Sequence, residues 1–394
     1  MRILRVLFLL TATLLLQAGP VLVLSFDGLG ADRFTKATMP QVWAIAQEGL
    51  RGRGIPPFPA TTFNGHATLA TGCLPGHHGI VANGFFDPAL GVVGHSARAT
   101  YLQREPLWIA ATRSGLKTAV TGWPCGDGPW QGESPWRLVP FGPGYTDAKA
   151  LDFADLALAD GADLVMTYLS GVDTEGHQHG PTSPEVLAKL RAIDAQMAPW
   201  LRQQQARHPD LQIWLLADHG MATMTRRIHV PTLLAGLPAR VVAHGGSAYV
   251  YLSRTSDLLA AKARLQHAGL KVWTHSELPA RFGLSGTLRT GDLTLLAPPG
   301  AWLSQALTPE QDANERSGRS GAHAFRGQDP GMATWFVVLG TGRRGPVADI
   351  PLTAAAPTVA KELGIHWQVA PDGPVRADLL SSKRPVQRLA PQKR

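Results

Sequence analysis

The chain of 394 residues carries only two cysteines, Cys73 and Cys125. That limits any disulfide to one bridge and excludes a fold held by a disulfide framework. In an oxidising compartment the two could pair. Equally, both could be free and buried, and spacing leaves the choice open. Charged side chains are scarce, at 17% against 44% hydrophobic, which excludes global disorder and leaves apolar material for a sizeable core. No internal repeat is visible. The 42 glycines and 31 prolines therefore mark many turns rather than a periodic array.

A formal charge of +8 looks at first like a signal for nucleic acid or membrane. Seven of those charges sit at the two ends: Arg2 and Arg5 at the start, and Lys383, Arg384, Arg388, Lys393 and Arg394 in the last 14 residues. Neither end contains an acid, so the body between them is at +1. A near-neutral body argues against a nucleic-acid-binding module. No stable nucleic acid complex and no obligate protein partner is expected. The tail over 381–394, with Pro385 and Pro391, reads as a disordered, solvated basic end. The first residues, MRILRVLFLLTATLLLQAGP, place two arginines before a short apolar run and small residues after it. This is the layout of a signal peptide over 1–18, cleaved after Ala18. It predicts a periplasmic or secreted protein, with a retained N-terminal membrane anchor as the alternative.

The length suits one large α/β domain with an insertion, or two domains. Apolar runs at 21–28, 117–124, 163–170, 211–220 and 335–342 read as strands. Helical patterns at 39–50, 62–71, 106–114, 148–158, 183–208 and 352–363 alternate with them. Residues 51–61, rich in Pro and Gly, read as a loop. Such alternation predicts a mostly parallel sheet with helices on both faces, over 19–224 and 321–380. Short strands at 248–252, 271–275 and 292–297 around a helix at 256–267 predict an inserted α+β cap over 225–320.

In a sheet of this kind, polar residues at the carboxyl ends of the strands gather along one edge, where ligands bind. Asp27, Asp173 and Asp218 all lie at or just beyond such ends. His177 follows Asp173 by four residues, with Gly176 permitting a tight loop. His219 follows Asp218 directly, and Gly220 offers the bend that would turn both toward one ion. With His323 these are carboxylate and imidazole donors, the ligands zinc takes in hydrolytic sites. Singly, each is better read as a cap or a satisfied core residue; together they point to metal. Thr62 opens a predicted helix, where free N–H groups favour an anion. A metal-assisted hydroxyl there could attack phosphorus, although Thr61 or Thr62 could also serve only as an N-cap.

The segments FDG (Asp27), FPATTF (58–63), DTEGH (173–177), DHG (218–220) and GAH (321–323) resemble, in this order, the nucleotide pyrophosphatase/phosphodiesterase family of the alkaline phosphatase superfamily. HGIVAN (78–83), EPLWIAA (105–111), GWP (122–124) and APTVAKELGI (356–365) add to the resemblance, which runs from Val21 to about Ile365. It implies an alkaline phosphatase-like α/β fold and hydrolysis of phosphodiester or pyrophosphate bonds, with a nucleotide as small-molecule substrate. It also implies two Zn2+ ions, one held by Asp27, Thr62, Asp218 and His219, the other by Asp173, His177 and His323. Thr62 would form a phospho-threonine intermediate. Asn83 would donate to a phosphoryl oxygen, and Phe63 and Tyr168 would enclose the base. Two positions depart from the family pattern: Asn64-Gly65 precede His66 where Pro-Asn is usual, and Ala324 replaces a glycine after His323. A sulfatase is disfavoured because Cys73-Leu74-Pro75 lacks the Ser-Arg continuation of a formylglycine site. A phosphomonoesterase of the same superfamily is the closer alternative. It would want a cation near the nucleophile, and no Arg lies between Phe58 and Asp87. A non-catalytic zinc-binding periplasmic protein is the alternative of another class.

Overall fold

A computed structural model describes residues 14–17, 19–94, 98–306, 308, 310–311, 320–382 and 386–389. Most of the leader and the basic tail lie outside the described residues. Where they are described, Leu14–Gln17 pairs antiparallel with Val386–Leu389.

The core is a nine-stranded sheet. Its main path runs Gly345–Pro346, Leu50–Ile55, Thr334–Leu339, Gln212–Ala217, Val21–Phe26, Leu164–Leu169, Thr118–Thr121 and Arg137–Val139. Thr334–Leu339 is antiparallel to both its neighbours, and the other pairings are parallel. The central strands are buried at every position, as expected for a sheet covered on both faces. Val21 and Val23 pack into the apolar cluster on one face, and Leu22, Leu24 and Phe26 into the cluster on the other, following the two-residue period of a strand.

Two readings of the sequence need correction here. Leu50–Ile55 is a strand, not loop. Its Gly52 and Gly54 face Phe336 and Thr334 so closely that a Cβ would collide with those side chains, so the glycines serve strand packing. The helix expected over 39–50 is only Pro40–Ala46, because the chain turns into that strand.

The cap is a four-stranded antiparallel sheet, ordered Ala239–Ala243, Ser247–Leu252, Leu293–Leu296 and Lys271–Thr274, with the helix Leu258–His267 packed on it. Sequence reading missed Ala239–Ala243 as well as the hairpin Gly84–Asp87/Gly91–Gly94. Both are short, and glycine or charge interrupts their alternation. The cap grips the segment after the Thr62 helix. Arg289 donates from Nε to Asp87 Oδ2 at 2.7 Å and from Nη1 to the Gly79 carbonyl at 2.7 Å. The Tyr249 hydroxyl donates to the Val81 carbonyl at 2.9 Å. Among the described residues, no helix is long and apolar enough to cross a membrane. Cys73 and Cys125 are two separate buried thiols, both pushed up by burial.

Candidate active site

Phe26, Leu169 and Ala217 are in register on three adjacent parallel strands. The residues that follow them therefore leave the sheet side by side, about 4.8 Å apart per strand. Asp27 is the middle one and Asp218 its neighbour. Gly28 has φ of 70° and a Cβ there would lie 2.9 Å from Asp173 Cβ, so glycine is needed for the turn and for the approach of the next acid. Gly220 does not take a left-handed turn. Its backbone passes so close to the Gly331 carbonyl that a Cβ would collide with it.

Asp173 and His177 lie on a helix, Gly171–His179, rather than in a tight loop. Spacing of four places both on one helical face, with His177 Nε2 3.4 Å from Asp173 Oδ2. Gly176 sits within that helix, where a Cβ would come within 3.1 Å of Met221. His177 Nδ1 donates to the Gly321 carbonyl at 3.0 Å, which turns Nε2 toward the acid. His323 lies between the two halves of the site, its ring centroid 4.0 Å from that of His219 and 5.0 Å from that of His177.

His219 occupies the centre. Its Nδ1 lies 2.9 Å from the Gly220 carbonyl and must donate to it. Nε2 is thereby presented to Asp27 Oδ1 at 3.2 Å and Asp218 Oδ2 at 3.2 Å. Thr62 is the first residue of the helix Thr62–Thr71, and its buried Oγ1 lies 3.2 Å from His219 Nε2 and 3.4 Å from Asp27 Oδ1. Neither threonine acts as a side-chain cap: the N-cap position is Thr61, which makes no such bond. Gly65 lets this helix approach the acid, since a Cβ there would lie 2.9 Å from both Asp218 Cβ and the Asp218 carbonyl.

Two polygons of donors result, Asp27/Asp218/His219 and Asp173/His219/His323, each with its ligand atoms within 4.8 Å of one another. His219 belongs to both, and His177 stands beside Asp173 just outside them. Asp173 Oδ1 is buried with no hydrogen-bond donor, and Asp218 Oδ2 meets only the imidazoles of His219 at 3.2 Å and His66 at 3.3 Å. Buried carboxylate oxygens normally have a donor or a metal, so the donor set fits divalent cations. The electrostatics agree. Burial and the charge of Asp27 raise Asp173 to about 6, and burial and Asp27 also raise Asp218. Burial opposes charge on His219, but Asp218 and Asp27 outweigh it and raise the imidazole to about 10. Asp27 is lowered despite its burial, because His219, His66 and the Tyr168 hydroxyl all favour its anion. Three carboxylates share one protonated imidazole, an arrangement that a divalent ion would relieve.

Asn83 Oδ1 accepts from the Phe63 N–H at 3.0 Å, which leaves its amide NH2 as the group it can offer a ligand. Phe63 is half-buried. Tyr168 is only 6% exposed; its hydroxyl donates to Asp27 Oδ2, and its ring meets His66 edge-on. It is thus a support for Asp27 first of all. Phe141, 46% exposed and 5.7 Å from the Tyr168 ring, is an aromatic that sequence reading did not single out. Nor did it single out Ser25, whose Oγ lies 2.8 Å from His66 Nε2. His66 Nδ1 in turn lies 2.8 Å from the Thr62 carbonyl and 3.3 Å from Asp218 Oδ2. His66 joins the first strand, the Thr62 helix and Asp218. His78, buried against Thr68 and held neutral by that burial, is structural. His77 pairs with Asp372 at the surface, and His179 lies near Glu175. Ala324 has φ of 72°, a left-handed conformation in which glycine is unstrained.

A mostly parallel sheet with acids and histidines converging on a buried helix-terminal threonine defines an alkaline phosphatase-like hydrolase. Residues 21–325 match the family of type I phosphodiesterases/nucleotide pyrophosphatases, and the chain belongs to that family. It is 28% identical over 352 residues to an uncharacterised pyrophosphatase/phosphodiesterase of Schizosaccharomyces pombe, covering 82% of this chain and 71% of that protein. It is 29% identical over 221 residues to venom phosphodiesterase 2 of Crotalus adamanteus, covering 52% of this chain and 27% of the venom enzyme. Murine ectonucleotide pyrophosphatase/phosphodiesterase 5 shares the fold, with a TM-score of 0.80 at 22% identity over 90% of this chain and 97% of that one. An inactive variant of that murine protein, with a threonine replaced by alanine, has been solved in complex with AMP.

Proposed function

We propose that this protein hydrolyses phosphodiester or pyrophosphate bonds of nucleotides through Thr62, at a site holding two divalent cations, most naturally zinc. The observation that carries the reading is the buried Thr62 Oγ1, within 3.4 Å of Asp27 Oδ1 and 3.2 Å of His219 Nε2, at the start of a helix. Asp27, Asp218, His219 and Thr62 would hold one ion, and Asp173, His177 and His323 the other. Such ions supply charge stabilisation at the phosphoryl group and lower the pKa of a coordinated hydroxyl.

The chain's own residues do the rest. The helix N-terminus favours an anion at Thr62. Phe63 N–H fixes the Asn83 oxygen, so that the Asn83 amide can donate to a phosphoryl oxygen as charge builds there. Attack forms the Thr62 Oγ–P bond as the P–O bond to the leaving group breaks, and the leaving oxygen takes the electron pair. Water then hydrolyses the threonine ester and restores the hydroxyl. Tyr168 and His66 hold Asp27 and Asp218 in place through this cycle. A flat apolar surface at Phe63 suits a base or aryl group. A monoesterase would want a cation at Thr62, and among the described residues no Arg or Lys bonds to Thr62, Asp27 or Asn83. The resemblance of residues 1–18 to a signal peptide supports an extracytoplasmic location for this activity.

The test is hydrolysis, with zinc supplied, of the nitrophenyl esters of a nucleoside monophosphate, of phosphate and of sulfate. Preference for the nucleotide diester that disappears on chelation supports the reading. Preference for the phosphate monoester would overturn the substrate class while keeping the metal site.

A further inference from the structure

A cleft of about 560 Å³ opens between the cap and the hairpin that follows Asn83. Asn83, His177 and His323 form its inner end, and the cap residues Arg240, His244 and Trp302 its walls. Thr62, Asp27 and Asp218 do not line it. In an in-line displacement the leaving oxygen departs on the side of phosphorus away from the nucleophile. Attack by Thr62 from beside Asp27 and His219 would send the departing group toward His177 and His323, which line this cleft.

Among the described lining residues, the cleft's one permanently charged side chain is Arg240. Beside it the titratable lining residues are the three histidines, with no carboxylate among the described residues. Arg240 lies on the strand Ala239–Ala243, opposite Tyr251, and its guanidinium stands 4.6 Å from the centroid of the Phe86 ring. Stacking on an aromatic orients the guanidinium while leaving its N–H edges for another group. The Tyr251 hydroxyl accepts from the Phe86 N–H at 3.0 Å and donates to the Arg289 carbonyl at 2.6 Å, so the platform beneath Arg240 is itself tied to the cap. No carboxylate partners Arg240 among the described residues.

We infer that this cleft receives the leaving group, and that Arg240 selects one bearing phosphate, such as pyrophosphate, over a neutral alcohol. The inference rests on the hydrolase reading above and names its substrate class. A planar fork of N–H donors suits a phosphate oxygen pair better than it suits any uncharged alcohol.

The experiment compares kcat/KM for ATP and for the p-nitrophenyl ester of AMP, which share the adenylyl group and differ in what leaves. In Arg240→Ala the ratio of the two, ATP over ester, is expected to fall about tenfold, the scale of one charge-assisted contact. Arg240→Glu should lower it further, and Arg240→Lys should recover part of it. Added salt should narrow the gap between wild type and Arg240→Ala. A ratio that stays the same in Arg240→Ala and Arg240→Glu, on an enzyme that hydrolyses the ester, overturns the inference alone. A wild-type protein that prefers a lipid diester with a neutral diacylglycerol leaving group over ATP also overturns it. Failure of wild type to hydrolyse the ester at all overturns the hydrolase reading, and this inference with it.

Discussion

Metal binding should release a proton from His219. In the metal-free site this imidazole is raised to about 10 by Asp218 and Asp27, against its own burial. At about pH 8 it is therefore protonated, yet a ligand imidazole must give up its Nε2 proton. The cost of removing that proton is about 3 kcal/mol, from a gap of roughly two pH units. The logarithm of the apparent affinity should thus rise with pH at a slope of about one until the pH nears 10. Asp173, raised to about 6, adds a second proton only as the pH falls toward that value. Thr62 could contribute a proton of its own on metal binding, so Thr62→Ala is the cleaner protein for the measurement. Calorimetric titration of chelated Thr62→Ala with zinc, in buffers of differing ionisation enthalpy near pH 8, should give about one proton released for the ion bound at the Asp27/Asp218/His219 group. Zero protons released there would refute the electrostatic account of the site.

Other outcomes follow from the same contacts. Arg289→Met would leave Asp87 with its two backbone donors but no cation; a loss of about 3 kcal/mol in denaturant unfolding is expected, as for breaking a buried pair. Tyr168→Phe removes the hydroxyl donor to Asp27 Oδ2 and should weaken zinc about tenfold or more in competition with a chelator, as loss of a supporting hydrogen bond does. Gly65→Ala forces a Cβ to 2.9 Å from the Asp218 carbonyl and Cβ; lower zinc content on purification is expected, and undiminished content would show that the helix can shift freely. In chelator, Asp173 is raised to about 6 from 3.8. The folded protein then holds a proton that the unfolded chain has already lost, so this group's contribution falls by about 3 kcal/mol between about pH 4 and pH 7. Comparing unfolding of chelated wild type and Asp173→Asn across that range isolates it.

Much of the fold was legible because the central strands are long apolar runs, two of which, Val21–Phe26 and Gln212–Ala217, lead directly into an acid. The helix Thr62–Thr71 and its stop at Gly72 were also readable, since Gly72 takes the left-handed turn a helix end favours. Leu50–Ile55 was not, because the glycines that alternate with its arginines carry no apolar side chain to mark a buried face; its place in the sheet is fixed by packing against Thr334–Leu339. The donor residues could be named from type and order, but their grouping could not. That His219 joins both groups depends on the Gly220 carbonyl fixing its ring. The hydroxyl of Tyr168 and the Ser25–His66–Asp218 chain were invisible for a similar reason: each links segments far apart in sequence and leaves no local pattern. Arg240 is one of many arginines until the cap folds over Asn83.

The central claim is that Thr62 forms a covalent ester during hydrolysis. The stereochemical course at phosphorus tests it most directly, using a chiral phosphorothioate diester of a nucleotide hydrolysed in isotopically labelled water. Two successive in-line displacements, first by Thr62 and then by water, predict net retention of configuration. Net inversion would mean that water attacks the substrate directly, and would contradict the role assigned to Thr62.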